Sequence, residues 1–280
     1  MFINILIMSI KMKTNNIAGS LDKGLPEIIT QIASEYGIAE YAENPDFFDR
    51  RMLRWHQYGL LTHTRKVREH FLSDLDGILT NWALYASVES YLSNTVDGID
   101  KRRLLEISTI PHDLGKIICL HSNETNREHE AASISLLDSR FIKDRLTECG
   151  LNDKHLGYIR RCVETHDVFG KEIRDKLKRS EKLSLKYSTK EEVRKLCRDL
   201  ARKYSDTRLE IGIFFICDSL GKLDMRIEAK DDSQIAESEE EVKKYLLFKN
   251  LPEELRFGIM QMPVNLSIGR TYLEEATSLK

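Results

Sequence analysis

Apolar positions recur every three to four residues along most of this chain, the spacing of a helix with one buried face. In the segment 53–72, Leu53, Leu60, Leu61, Val67 and Phe71 stand near that spacing. The same period predicts helices over 77–93, 101–110, 129–148, 154–167, 190–204 and 208–223. Ser238 and Glu241 form a capping box that opens a further helix at 239–248. Five prolines (26, 45, 111, 252 and 263) interrupt the pattern, and long stretches between them run unbroken. No run of alternating residues reads as a strand, and no internal repeat is visible. The predicted class is all-α.

Composition changes this picture little. A chain of 280 residues has room for one large or two small domains. Its net charge of −2 sets up no overall field toward nucleic acid or membrane. The cysteines (119, 149, 162, 197 and 217) are odd in number and contain no C-x-x-C pair. They read as reduced core thiols, which predicts a cytoplasmic protein. The opening run MFINILIMSIKMK is too short to span a bilayer, which takes roughly 20 apolar residues. It lacks basic residues ahead of the run and a small-residue cleavage site, so it reads as a packed strand or helix. Met8 or Met12 as the true start is the alternative.

The chemistry is concentrated in STIPHDLGKII, residues 108–118. His112 and Asp113 sit side by side in an apolar segment, after a proline that ends the preceding helix. Gly115 is expected to act as a helix stop. A buried carboxylate must be paired, hydrogen-bonded or coordinating a metal. Candidate partners lie elsewhere: His63 on the helix LLTHTRKVREHF, His129 in REHEAASISLL, His166 in RRCVETHDVFG and Asp218 in IGIFFICDSLGKL. The last is the most telling, because a helix apolar on every face is buried and an aspartate inside it needs a positive neighbour.

In the order HTRKV, PHDLGK, REHEAAS, VETH, FICDSLGK, these segments resemble the HD superfamily of metal-dependent phosphohydrolases. The resemblance covers roughly residues 55–225, with PHDLGK and CDSLGK its most specific pieces; Pro111 stands where the family usually has a large apolar residue. It implies that His63, His112, Asp113 and Asp218 bind one divalent metal. Asp113 would bridge to a second metal held by His129 and His166. Imidazole and carboxylate donors suit Mn, Fe, Co, Ni, Zn or Mg. The family's chemistry is attack on phosphorus by a water whose pKa the metals lower. Lys116 would hold a phosphate oxygen or the leaving group. The implied function is hydrolysis of a phosphomonoester or phosphodiester, of a nucleotide or a nucleic-acid end. The alternative is a non-catalytic nucleotide- or metal-binding sensor on the same fold.

Spacing alone leaves choices open. His56, His63 and His70 lie seven apart and share a helix face; His155 shares one with His166; His129 could simply cap its helix. His121 reads as a loop histidine, and Asp167 as a second His-Asp pair without a role. The block 170–203 carries 13 Lys or Arg against six Asp or Glu. It reads as a solvated face first and a nucleic-acid surface second. MPVNLSIGRTYLEEA (262–276) faintly resembles the turn and helix start after the HD core of bacterial tRNA nucleotidyltransferases; a C-terminal helix docking on the core is the stronger reading. The expected organisation is an N-terminal helical extension (1–50), an HD core (51–230) and a C-terminal helical extension (231–280). The expected partner is a phosphorylated small molecule or nucleotide, without a membrane.

Overall fold

The computed structural model describes residues 17–46, 58–122, 129–169, 171–172, 190–223 and 253–279. Twelve α-helices are found among them: α1 (Ile17–Glu35), α2 (Leu60–Ser73), α3 (Leu75–Asn81), α4 (Tyr85–Leu92), α5 (Lys101–Ser108), α6 (Gly115–Ser122), α7 (His129–Leu137), α8 (Arg140–Glu148), α9 (Asp153–Thr165), α10 (Lys190–Lys203), α11 (Arg208–Gly221) and α12 (Glu253–Ser278). The class is all-α, as the periodicity predicts. A two-residue hairpin, β1 (Thr95–Val96) against β2 (Ile99–Asp100), adds the small strand pair that the pattern did not signal. None of the described helices is long and apolar enough to cross a membrane. The predicted helix at 239–248, the N-terminal apolar run and His56 lie outside the described residues.

The helix α11 is the axis. Its residues from Leu209 to Gly221 are buried almost without interruption, because α2 packs on one side and α12 on another. Glycines set these approaches. A side chain at Gly221 would meet Val67 of α2 at 2.6 Å, and one at Gly115 would meet the His129 carbonyl of α7 at 2.1 Å. The second contact is with backbone, so only glycine lets α6 and α7 come together there. The helix α2 presents Leu60, His63, Thr64, Val67 and Phe71 inward as one stripe, which puts His63 among core residues.

Three predicted elements differ. Gly115 begins α6 rather than stopping a helix. The segment 77–93 is broken at Ala83, which takes a left-handed φ of 59°. There Leu84 N–H bonds the Leu79 carbonyl and Ala83 N–H the Thr80 carbonyl, a Schellman stop with alanine in glycine's place. The segment 129–148 is broken at Asp138 and Ser139, residue types that favour helix ends over helix interiors. The 262–276 run is part of the continuous α12, which docks on α10 and α11 through Ile268, Tyr272, Leu273 and Ala276. No turn precedes Ile268-Gly269-Arg270; the helix passes through Pro263. In the basic block, α10 directs Arg194 toward Glu274 (3.3 Å) and Arg198 toward Glu275 (2.7 Å) on α12, so part of its charge joins two helices. Residues 173–189 of the block lie outside the described residues.

Candidate metal centre

The turn carrying His112 and Asp113 is shaped by its backbone bonds. Pro111, without an N–H, follows the end of α5. The Ser133 hydroxyl of α7 donates to the His112 carbonyl (2.9 Å) and accepts from Gly115 N–H (2.8 Å). That one side chain satisfies two backbone groups of a buried turn and ties it to the helix that starts with His129.

Five elements then converge: α2 with His63, the turn with His112 and Asp113, the first residue of α7 with His129, the end of α9 with His166, and the last turns of α11 with Asp218. All six side chains are buried. Asp113 faces two ways. Its Oδ2 lies 3.1 Å from His63 Nε2 and 3.3 Å from His112 Nε2. Its Oδ1 lies 3.1 Å from His129 Nε2 and 3.4 Å from His166 Nε2. Asp218 Oδ1 closes the first group, 3.2 Å from His63 Nε2 and 4.0 Å from His112 Nε2. His63, His112, Asp113 and Asp218 form one set with ligand atoms within 4.8 Å of one another; Asp113, His129 and His166 form a second.

The imidazoles are oriented from behind. Nδ1 of His63 faces the Gly221 carbonyl (3.1 Å), that of His112 the Thr109 carbonyl (2.7 Å) and that of His166 the Val163 carbonyl (2.6 Å). A carbonyl only accepts, so each Nδ1 carries a proton and directs Nε2 into the centre, as metal-bound histidines are held. Burial pushes the His112 pKa down, so its ring stays neutral. Its Nε2 has no hydrogen bond among the described residues, although a carboxylate oxygen lies 3.3 Å away. Two lone pairs facing each other in a buried site call for a cation between them. The donor set of imidazoles and carboxylates fits a divalent ion of the borderline or hard class.

Charge is balanced by protons and lysines. Burial opposes ionisation of Asp113, yet His112 and the Lys116 ammonium hold its carboxyl well below the usual range. Asp218 is likewise held low against burial by Lys222 and His63. Burial alone would depress His63, but Asp113 and Asp218 push it up to about 9. Lys116 is buried and bonds Asp113 Oδ2.

The histidine alternatives separate. His155 and His166 lie on one stripe of α9, but eleven residues make about 16 Å of helix, so both cannot reach one site. His155 instead completes a capping box with Asn152 and contacts the Val96 carbonyl through Nε2 at 2.9 Å. His70 pairs with Asp74, and His121 is exposed beside Tyr36. His155→Ala is expected to cost about 1–2 kcal/mol of stability through the lost cap and hydrogen bond. It should leave metal content unchanged; urea denaturation and elemental analysis check both.

Sequence reasoning missed Ser133, Glu130, Lys171 and Lys222. Glu130 is buried beside His129, its Oε2 3.7 Å from Nδ1, and pairs with Lys171. Lys222 pairs with Asp218. The signal for Lys222 was present: HDLGK and DSLGK both place a lysine about one helical turn after a buried aspartate. Next to the second group, a groove of about 760 Å³ runs between α7 and α9, lined by Glu130, Ile134, Asp138, Arg160, Glu164 and Lys171.

Comparisons with protein-family models, with curated proteins and with solved structures return no match. The centre is therefore a buried His/Asp cluster, built by a helical chain, that could hold metal ions.

Proposed function

We propose that this chain is an HD-type metal-dependent phosphohydrolase that cleaves a phosphomonoester or phosphodiester, of a nucleotide or a nucleic-acid end, with two divalent ions. One observation carries the reading: Asp113 turns one oxygen to each of two adjoining ligand groups. His63, His112 and Asp218 would complete the first ion's shell, and His129 and His166 the second's. Bound there, two cations would supply charge to neutralise a phosphoryl group and a water nucleophile of lowered pKa. The chain's own part is to fix positions. Backbone carbonyls hold the imidazoles, and apolar neighbours such as Phe214, 5.9 Å from the His112 ring, keep bulk water out. The groove beside Glu130 and Lys171 offers room for the remainder of a substrate.

The test is a screen of the metal-replete protein against nucleotides and nitrophenyl phosphate mono- and diesters, with elemental analysis of the same sample. One to two equivalents of divalent metal with turnover of at least one ester is the expected result. Metal bound with every ester untouched would leave a sensor; no metal at any loading would end the proposal.

A further inference from the structure

Three carboxylates at the centre are each met by a lysine, but the lysines differ in what they can reach. Lys116 is 7 % exposed along its side chain and lies on Asp113 Oδ2 inside the cluster. Lys171 pairs with Glu130, which belongs to neither ligand group. Lys222 sits on Oδ2 of Asp218, while the other oxygen of that carboxylate faces His63 and His112. Within the first ligand group the side chains of His63, His112 and Asp113 are 0 to 2 % exposed, whereas that of Asp218 is 12 % exposed. Lys222, at 26 %, stands outside it. Among the described residues, the open edge of this group is therefore the Asp218–Lys222 edge.

Resting on the two-ion reading above, we infer that Lys222 is a substrate-positioning residue: its ammonium binds an oxyanion, of the class of a phosphate monoester or inorganic phosphate, at the mouth of the first ligand group. An ammonium carries three donors, and the contact with Asp218 uses one. The contact is to Oδ2, and the other oxygen of the same carboxylate is the one a cation would take, so the ammonium stands next to that position on the partly exposed side. An anion entering there meets a fixed positive charge and an ion together, and the hydrogen bond it accepts is charge-assisted. A carboxylate shared between an inner cation and an outer ammonium also keeps Lys222 on that edge.

The experiment compares wild type, Lys222→Gln and Lys222→Arg. Each is loaded with metal, assayed for metal content, and titrated with inorganic phosphate by calorimetry. Phosphate binding requires no turnover, so the result stands apart from whether any ester is cleaved. Expected is full metal content in all three, phosphate affinity roughly tenfold lower or more in Lys222→Gln, and most of it restored in Lys222→Arg. Removing a competing ammonium from Asp218 should leave metal affinity equal or higher. Equal phosphate affinity in Lys222→Gln at full metal content would overturn the inference while sparing the metal site. So would a fall in metal affinity with phosphate affinity per loaded site unchanged, which would make Lys222 an orienter of Asp218 only. A wild-type protein that takes up no metal would remove both readings.

Discussion

Asp113→Asn is expected to dismantle both ligand groups at once. The amide keeps the shape of the carboxylate but offers one acceptor oxygen and one N–H₂ donor. Whichever way it turns, one group faces a donor that repels a cation. The second group is then left with His129 and His166 and no anionic ligand, so that ion should be lost outright. The first group keeps His63, His112 and Asp218 and should bind more weakly. If the chain is the phosphohydrolase proposed, turnover should fall at least about a thousandfold, since metal catalysis supplies several kcal/mol and each 1.4 kcal/mol is a factor of ten. Stability should fall too. Lys116 is 6 % exposed and would face an amide in place of the carboxylate it bonds; weakening a charge-assisted hydrogen bond of a buried group costs about 1.5–3 kcal/mol. Elemental analysis, turnover of the best ester and a urea curve measure the three effects. A variant that still holds two ions at wild-type affinity would refute the bridging role.

What the chain's pattern made legible divides along physical lines. Two of the six candidate ligands stood out as polar residues where periodicity demands an apolar one, His63 on the inward stripe of α2 and Asp218 in a helix buried all round; the full set, with His112, Asp113, His129 and His166, came from the ordered resemblance to HD phosphohydrolases. A polar group there has to be compensated, and that need is visible without coordinates. Helix class was legible for the same reason. Helix boundaries were less so. The stop at Ala83 is made by backbone hydrogen bonds and uses neither glycine nor proline. Gly115 was read as a stop because glycine usually ends helices, whereas here it begins one to let α7 approach. The choice between His155 and His166 could not come from spacing, since both lie on the same face of α9; it took the position of Asp113, brought in by another element. Ser133 and Glu130 carry no signal of their own, because a serine or glutamate near a helix start is ordinary; only the packing of α7 on the His-Asp turn gives them roles.

Between about pH 6.5 and 9 the metal-free protein is expected to lose stability as pH rises, while the metal-loaded protein stays nearly level. Without metal, His63 is held protonated by Asp113 and Asp218, its pKa up from 6.5 to about 9. A group whose folded pKa is raised contributes stability that is complete below its unfolded pKa and is lost as pH rises through the folded one. The metal-free protein should therefore lose about 3 kcal/mol between pH 6.5 and 9 from His63, with a loss of the same sign from His166, whose pKa the Asp113 carboxylate raises against burial. His112 adds nothing in this window, because its pKa is lowered and its contribution changes only toward acid. A bound cation needs the His63 Nε2 lone pair, so binding at pH 7 must expel that proton, and affinity should climb with pH until His63 is neutral. Buried thiols pushed upward, such as Cys162 and Cys217, begin to destabilise both forms near pH 9, so the quantity to follow is the difference between loaded and chelated protein at each pH. That difference should widen from pH 6.5 to 9, and in His63→Gln it should widen less, by the share that His166 contributes. Calorimetric titrations of metal in buffers of different ionisation enthalpy should show about one proton released from His63 at pH 7, together with whatever share His166 carries. Release of none, with a gap that does not widen, would mean that the proton on His63 is not what the metal displaces.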